Sequence, residues 1–500
     1  GTDRQARNPV TGEVLGPNSS VAIGTLVPDS GNLTNGLFLK NEGPIGNTAY
    51  QYPTLGAAPR FGFAYDLTGQ QRFVLRGGSG VFITRPSITD LETGSNPPTA
   101  STVTVRYANL QSLGHGGLTT TPPPALRGVL YDSPLPYSVQ WNGGVQVALP
   151  WSFVADVEYV GQHSWNEQQA VNINAVDLGA AFLPENQDPT LAPSTTPGAS
   201  AILADQIRAM RGYSGITQQI ANGWETYHSI QLSFQRRFSH GLAFGFNDTI
   251  ALLDRGNANL RLQHNPDGSY VVRSDQAEAD ELLGDNNPIA HTIKANFIWS
   301  LPHLDTGSSV RRVVGAVIND WQLSGVWSAS TGSAYTVGES YQNGGSNTNL
   351  TGSPDYAARV VIVGDPGAGC TDDPYRQFNT AAFNGAQPGS VGLDSGTGYL
   401  RGCFSSVLDL AIARTVRLGG GRTVQFRLDM FNAPNQARIT GRNTTMNLTS
   451  PSDPSTIINL PFDDSGAVLS NRVRPNQAGF GAVTSYQSPR SIQAQIRFAF

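Results

Sequence analysis

Five hundred residues exceed one ordinary domain, although one large barrel absorbs them. A net charge of -5 leaves no electrostatic footprint for nucleic acid, and only 14% of residues are charged where globular enzymes carry about a quarter. No apolar run approaches the ~18 residues of a transmembrane helix, whereas 56 glycines with abundant Asn, Ser and Thr suit strands with small polar residues on one side and long polar loops.

The chain opens on Gly1-Thr2-Asp3-Arg4, without an initiator Met or a signal peptide, and reads as a cut into a longer polypeptide. Residues 1–56, with runs such as Asn8-Pro9-Val10-Thr11-Gly12, read as an extracellular loop region leading into a barrel over 57–500. Eleven strands are predicted, at about 57–66, 72–83, 137–149, 151–162, 226–238, 241–252, 290–301, 320–332, 405–417, 422–432 and 488–500.

In the third strand Val139, Trp141, Val145, Val147 and Leu149 share one side, with Ser138, Gln140, Asn142 and Gln146 opposite. In the fourth, Phe153, Ala155, Val157 and Tyr159 oppose Asp156 and Glu158. Ile230, Leu232 and Phe234, then Leu242, Phe244 and Phe246, then Ile293, Ala295, Phe297 and Trp299 continue the pattern. So do Leu408, Leu410 and Ile412, and Val424, Phe426, Leu428 and Met430. The last strand sets Ile492, Ala494, Ile496, Phe498 and Phe500 against Ser491, Gln493, Gln495 and Arg497. A soluble protein seldom leaves such a strand unprotected at its end, because it invites aggregation. A transmembrane barrel needs one, apolar towards lipid and polar towards the lumen.

The connections alternate between short (67–71, 150, 239–240, 302–319, 418–421) and long (84–136, 163–225, 253–289, 333–404, 433–487). Outer-membrane barrels have short periplasmic turns and long extracellular loops, whereas a sandwich or propeller has no reason to gather every long connection at one end. Eleven strands cannot close an all-antiparallel barrel, because the first and last would run parallel. The expectation is therefore the C-terminal part of a longer antiparallel barrel.

Three charges fall on the apolar side. Arg236 and Arg414 lie near the periplasmic end, where a charge costs about 0–1 kcal/mol. Asp248 fits less well and is expected above the bilayer, on a strand that projects outward. Tyr65, Trp151, Tyr159, Trp299 and Trp321 are candidate interfacial girdle residues, although aromatics of a soluble β core look the same one at a time. On the polar side, Arg76, Asp156, Glu158, Arg237, Lys294, Asp409, Arg427, Asp429 and Arg497 are candidates for lining the lumen and contacting a plug; ordinary solvated polarity accounts for them equally well. The glycines of Gly77-Gly78-Ser79-Gly80 mark a bend or a close approach, for which a plug is the candidate body.

Catalytic patterns are scarce. His115, His163, His228, His240, His264, His291 and His303 show no ligand spacing, and most are expected in loops or at strand ends. Asp275, Asp280, Glu281, Asp285, Asp372 and Asp373 lack EF-hand spacing and read as solvated loop acids rather than a Ca²⁺ site. No enzyme activity, metal or cofactor is expected. Cys370 and Cys403 flank a Gly/Asp/Asn-rich stretch; they form a disulfide in an oxidising compartment or remain two free thiols.

These segments resemble the C-terminal barrel of TonB-dependent outer-membrane receptors, and among them the Oar-like proteins with an N-terminal carboxypeptidase-regulatory-like domain. The stretches that carry the likeness are Asn8–Asn32, Pro59–Arg85, Tyr137–His163, Tyr227–Thr249, Trp321–Val337, Leu408–Gln436 and the terminal SPRSIQAQIRFAF. The resemblance implies a 22-stranded barrel in the outer membrane of a Gram-negative bacterium, in contact with lipid bilayer and lipopolysaccharide. It also implies a plug and a TonB box, neither present in this chain, and import of an unknown large or scarce substrate captured by the outer loops. Ile492, Ile496, Phe498 and Phe500 resemble the signal read by the outer-membrane insertion machinery. Asp248 stands where that family's pattern leads one to expect an aromatic residue. The alternatives are a passive pore or secretion channel of the same architecture, and a soluble secreted all-β adhesin or carbohydrate-active protein, which would need paired catalytic carboxylates.

Overall fold

A computed structural model describes residues 4–500 apart from 9–10, 17, 28–31, 33, 49–50, 52–55, 86–92, 113–116, 257–259, 265–269, 275–289, 303–314, 316 and 390–395. The architecture is all-β. Eleven strands follow one another across one sheet in chain order: β1 (Arg60–Asp66), β2 (Phe73–Ile83), β3 (Tyr137–Leu149), β4 (Phe153–Asn172), β5 (Ile216–Ser239), β6 (Leu242–Gly256), β7 (Ala290–Ser300), β8 (Trp321–Ser330), β9 (Ser405–Gly419), β10 (Arg422–Phe431) and β11 (Ser491–Ala499). Each pairs antiparallel with the next. A further short strand, Leu126–Val129, adds in parallel to the start of β5. The strands β1 and β11 stand at the two ends of the sheet order and do not pair with each other.

Register sorts the two faces, because residues directly opposite in neighbouring strands share a side. One row runs Phe73, Val147, Ala155, Phe234, Phe246, Ala295, Trp327 and Leu408. The adjacent row runs Gln146, Asp156, Ser233, Asn247, Lys294 and Ser328. The apolar face is not covered by the protein: Val157 is 52% exposed and Phe498 68%. A soluble sheet would bury that face; in a bilayer it faces hydrocarbon.

Two expected boundaries move. The long connection expected over 163–225 is shorter at both ends, because β4 and β5 have 20 and 24 residues and leave 173–215 between them. Pattern reading stops at 162 because strands that project beyond lipid no longer need an apolar side. A bulge at Trp165/Glu167/Gln168 falls at this transition.

The turn between β3 and β4 is unusual in composition. In the three-residue connection Pro150-Trp151-Ser152, Trp151 and Ser152 both take left-handed φ values, 58° and 64°, without the customary Asn or Gly. The described part of the N-terminal segment contributes no strand to the sheet. It packs against the long connections, through a bridge from Leu26 to Thr121 and an ion pair from Arg4 to Asp188.

The face assignment is testable. Val157→Lys, on the apolar face, should cost about 2–4 kcal/mol at the bilayer midplane and deplete the heat-modifiable form in outer-membrane fractions. Gln140→Lys, on the polar face, should leave that form intact. Equal losses from both would invalidate the assignment.

Candidate functional site

The apolar face carries two aromatic belts. At the short-turn end, Trp151 is 82% exposed, and Tyr65, Trp299 and Trp321 stand at the same end of their strands. The second belt lies further along β3, β4 and β5. Tyr137 stacks on Trp165 at 5.0 Å, His163 meets Trp165 edge-on at 4.0 Å, and Trp224 stacks on His163 at 6.2 Å. On β4, Phe153 and His163 are ten residues apart, which at ~3.3 Å per residue and ~40° tilt is about 25 Å, the height of a barrel's apolar band. Tyr159 lies between the two belts, six residues from Phe153 and four from His163 on β4. Its hydroxyl lies 2.6 Å from His228 Nδ1, and Trp141 packs against the same imidazole at 5.8 Å.

Two histidines therefore depart from expectation: His163 and His228 lie well within strands on the outward face, each with a hydroxyl partner, whereas His291 stands at the start of β7 with the Asp248 carboxylate as partner. Nothing in their spacing announced this; the signal lay in the aromatic residues opposite them. Two glycines serve the same face. A Cβ on Gly161 would lie 2.3 Å from the Trp141 ring, and one on Gly77 would lie 2.7 Å from Phe63. The body that approaches Gly77 is thus Phe63 of the neighbouring strand, in place of the expected plug.

The outward charges have local partners. Arg236 Nε donates to the Trp151 carbonyl at 3.0 Å, and its guanidinium lies 5.5 Å from the Phe153 ring centroid. Arg414 lies 5.5 Å from the Trp321 ring centroid. Asp248 is not on an outward-projecting end of its strand. It sits well inside β6, opposite Leu232 and Ile293, with Oδ2 3.0 Å from His291 Nδ1.

The inward charges fall into two groups. Arg76 pairs with Asp156 at 3.4 Å and Arg427 with Asp429 at 2.7 Å. Glu158 accepts from Asn142, and Asp409 accepts from the Asn432 backbone N–H at 2.8 Å. Lys294, Arg237 and Arg497 are exposed and have no partner among the described residues. On β11, Ile492, Ile496 and Phe498 lie opposite Met430, Phe426 and Val424, and Phe500 follows, fully exposed.

At the far end from the short turns, the long connections form a folded structure. Val337, Val360, Phe378, Phe383, Leu400, Met446 and Phe480 close a core drawn from residues 331–404 and 432–490. Gly338–Tyr341 pairs in parallel with Thr445–Leu448 across the two connections. Cys370 and Cys403 are joined by a disulfide. A third connection is tied in by charge. The buried Arg208 donates to Asp355 at 2.7 and 3.2 Å, to Asp205 at 2.8 Å and to the Asn174 carbonyl at 2.6 Å.

Within this cap the half-buried Glu339 accepts from the Ala386 N–H at 2.5 Å through Oε2, while Oε1 has no partner among the described residues. Burial pushes its carboxyl up from 4.5 to about 7, against the opposing pull of that hydrogen bond. No cluster of three or more potential metal ligands occurs among the described residues. Asp275, Asp280, Glu281, Asp285, His115 and His303 lie outside them, as does the side chain of His264. Asp373 caps the Tyr375 N–H at 2.8 Å, and Asp372 is exposed.

Comparison with known proteins gives a family. The model described as "Outer membrane beta barrel domain" matches residues 15–493. No curated protein matches the sequence. Similar solved structures include the outer membrane transporter YddB from Escherichia coli, at 11% identity and TM-score 0.37, covering 88% of this chain and 40% of that one. The siderophore receptor PirA from Acinetobacter baumannii shows 10% identity and TM-score 0.39, with coverage of 89% and 41%. The ferric enterobactin receptor PfeA from Pseudomonas aeruginosa shows 11% identity and TM-score 0.36, with coverage of 88% and 39%. The chain thus spans about two fifths of the length of each.

Two outcomes are expected of the cap. Replacing both Cys370 and Cys403 by Ala reopens a loop spanning 33 residues and should cost the cap about 3–4 kcal/mol. It should read out as faster proteolysis within 331–404 with heat-modifiability unchanged. The folded-state pKa of Glu339 exceeds its unfolded value, so its contribution to cap stability is fully present below about 4.5 and lost as pH rises through about 7. Protease resistance of the cap should therefore fall between pH 5 and 8, and Glu339→Gln should flatten that slope.

Proposed function

The chain belongs to the outer-membrane β-barrel domain family, whose place is the outer membrane of Gram-negative bacteria, and on that premise we propose that it is the barrel part of a TonB-dependent receptor. Its long outer connections capture a large or scarce substrate, and movement of a plug, energised through TonB, admits the substrate to the periplasm. Within the family we place it beside the Oar-like receptors, on the order and spacing of its strand segments. Transport of this kind is binding and gating, without covalent chemistry.

The observation that carries this reading is the cap. A passive pore gains nothing from outer connections with their own core, a disulfide and a buried arginine network, whereas a receptor needs a persistent surface for capture. The inward face supports the gating half. Its carboxylates Asp156, Glu158, Asp409 and Asp429 are engaged, whereas the exposed cations Lys294, Arg237 and Arg497 have no partner among the described residues. Ile298 and Val326 add exposed apolar contacts on the same side, 41% and 53% accessible. A plug that meets this wall presents carboxylates to the three cations. The unpaired edges of β1 and β11 run parallel, so an antiparallel closure needs an odd number of further strands. Eleven more make the expected 22.

The test uses the full-length product purified from outer membranes and reconstituted in planar bilayers. A plugged receptor gives no steady conductance until the plug is perturbed with about 4 M urea. Constitutive ohmic steps in its absence would favour the passive channel instead.

A further inference from the structure

A cleft of ≈ 1070 Å³ separates the N-terminal segment from the connection between β4 and β5. Its apolar lining includes Leu15 and Ile23, packed on the small cluster around Ala6 and Ala22, and Ile202. Arg4, Arg7 and Arg211 line it with one acidic residue, Asp205. That carboxylate is already committed, accepting from the buried Arg208 at 2.8 Å.

The three arginines are not equally occupied. Arg4 is held in place by Asp188 at 2.5 Å. Arg7 donates one N–H to the Gly12 carbonyl at 3.0 Å and keeps its other donors. Arg211 is exposed and has no partner among the described residues. A concentration of unneutralised positive charge is unexpected in a chain of net charge -5. Guanidinium forks match carboxylate and phosphate geometry, and a cleft of this size takes a ligand of drug size or above.

We propose that this cleft binds an organic polyanion: an apolar or aromatic body bearing two or more carboxylate or phosphate groups. The body rests on Leu15, Ile23 and Ile202, and the anionic groups meet Arg7 and Arg211, with Arg4 fixed beside them. The ligand's role as captured cargo rests on the receptor reading above; the binding site itself does not.

Isothermal titration of the full-length, detergent-purified protein with benzene-1,3,5-tricarboxylate tests the site, with the neutral tricarboxamide as control. The expected result is saturable binding of the trianion and none of the amide. Affinity should fall at least tenfold in R7Q/R211Q and recover in part in R7K/R211K. Both arginines are exposed, so heat-modifiability of each variant should match the parent. Displacement of the trianion by purified lipopolysaccharide assigns the native anion to the outer leaflet, and lack of displacement assigns it to a soluble ligand. Absence of saturable binding at millimolar trianion, or an affinity unchanged in R7Q/R211Q, overturns the proposal. Trianion binding to a protein that conducts constitutively in bilayers keeps the site and removes the plug-gated reading.

Discussion

Hydrocarbon offers no partner for a backbone N–H or carbonyl, and this one constraint organises the molecule. It forces the spanning segments into a sheet whose hydrogen bonds run strand to strand, and it forces every second side chain to be compatible with lipid. The row from Phe73 to Leu408 beside the row from Gln146 to Ser328 expresses that demand directly. The exceptions on the apolar face are handled locally. Arg236 reaches a turn carbonyl, Arg414 an indole, and Asp248 an imidazole on the next strand.

The same constraint decides what could be read from the sequence. Strands such as β3 and β10 are legible because a period of two is enforced along their whole spanning length. The outer ends of β4 and β5 are not, because Glu167, Gln168 and Gln169 are polar in succession and owe nothing to alternation. The cap is still less legible. Its core joins Val337 to Phe480 across an intervening hairpin, and no local pattern records that contact. Among the inward charges, residue type placed Arg76 and Asp156 on the correct face, but only register brought them together. The second aromatic belt escaped because its members, Tyr137, His163, Trp165 and Trp224, come from three strands and adjoin only after pairing.

The outer structure obeys different physics from the sheet below it. Water is available there, so irregular backbone is tolerated and stability comes from burial, the disulfide and Arg208. Truncating Arg208 would remove the cation that Asp355 and Asp205 share, a loss of about 3–5 kcal/mol. The arrangement makes the long connections a preformed surface, and preformed surfaces bind without first paying to order themselves.

The parallel pairing of Gly338–Tyr341 with Thr445–Leu448 also constrains assembly. Its two halves lie on either side of the β9–β10 hairpin in the chain. They meet only when both flanking connections stand on the same side of the membrane. The cap can therefore be completed only after that hairpin has taken its place in the wall. The disulfide, whose two cysteines belong to a single connection, is a covalent tie that does not have to wait for it.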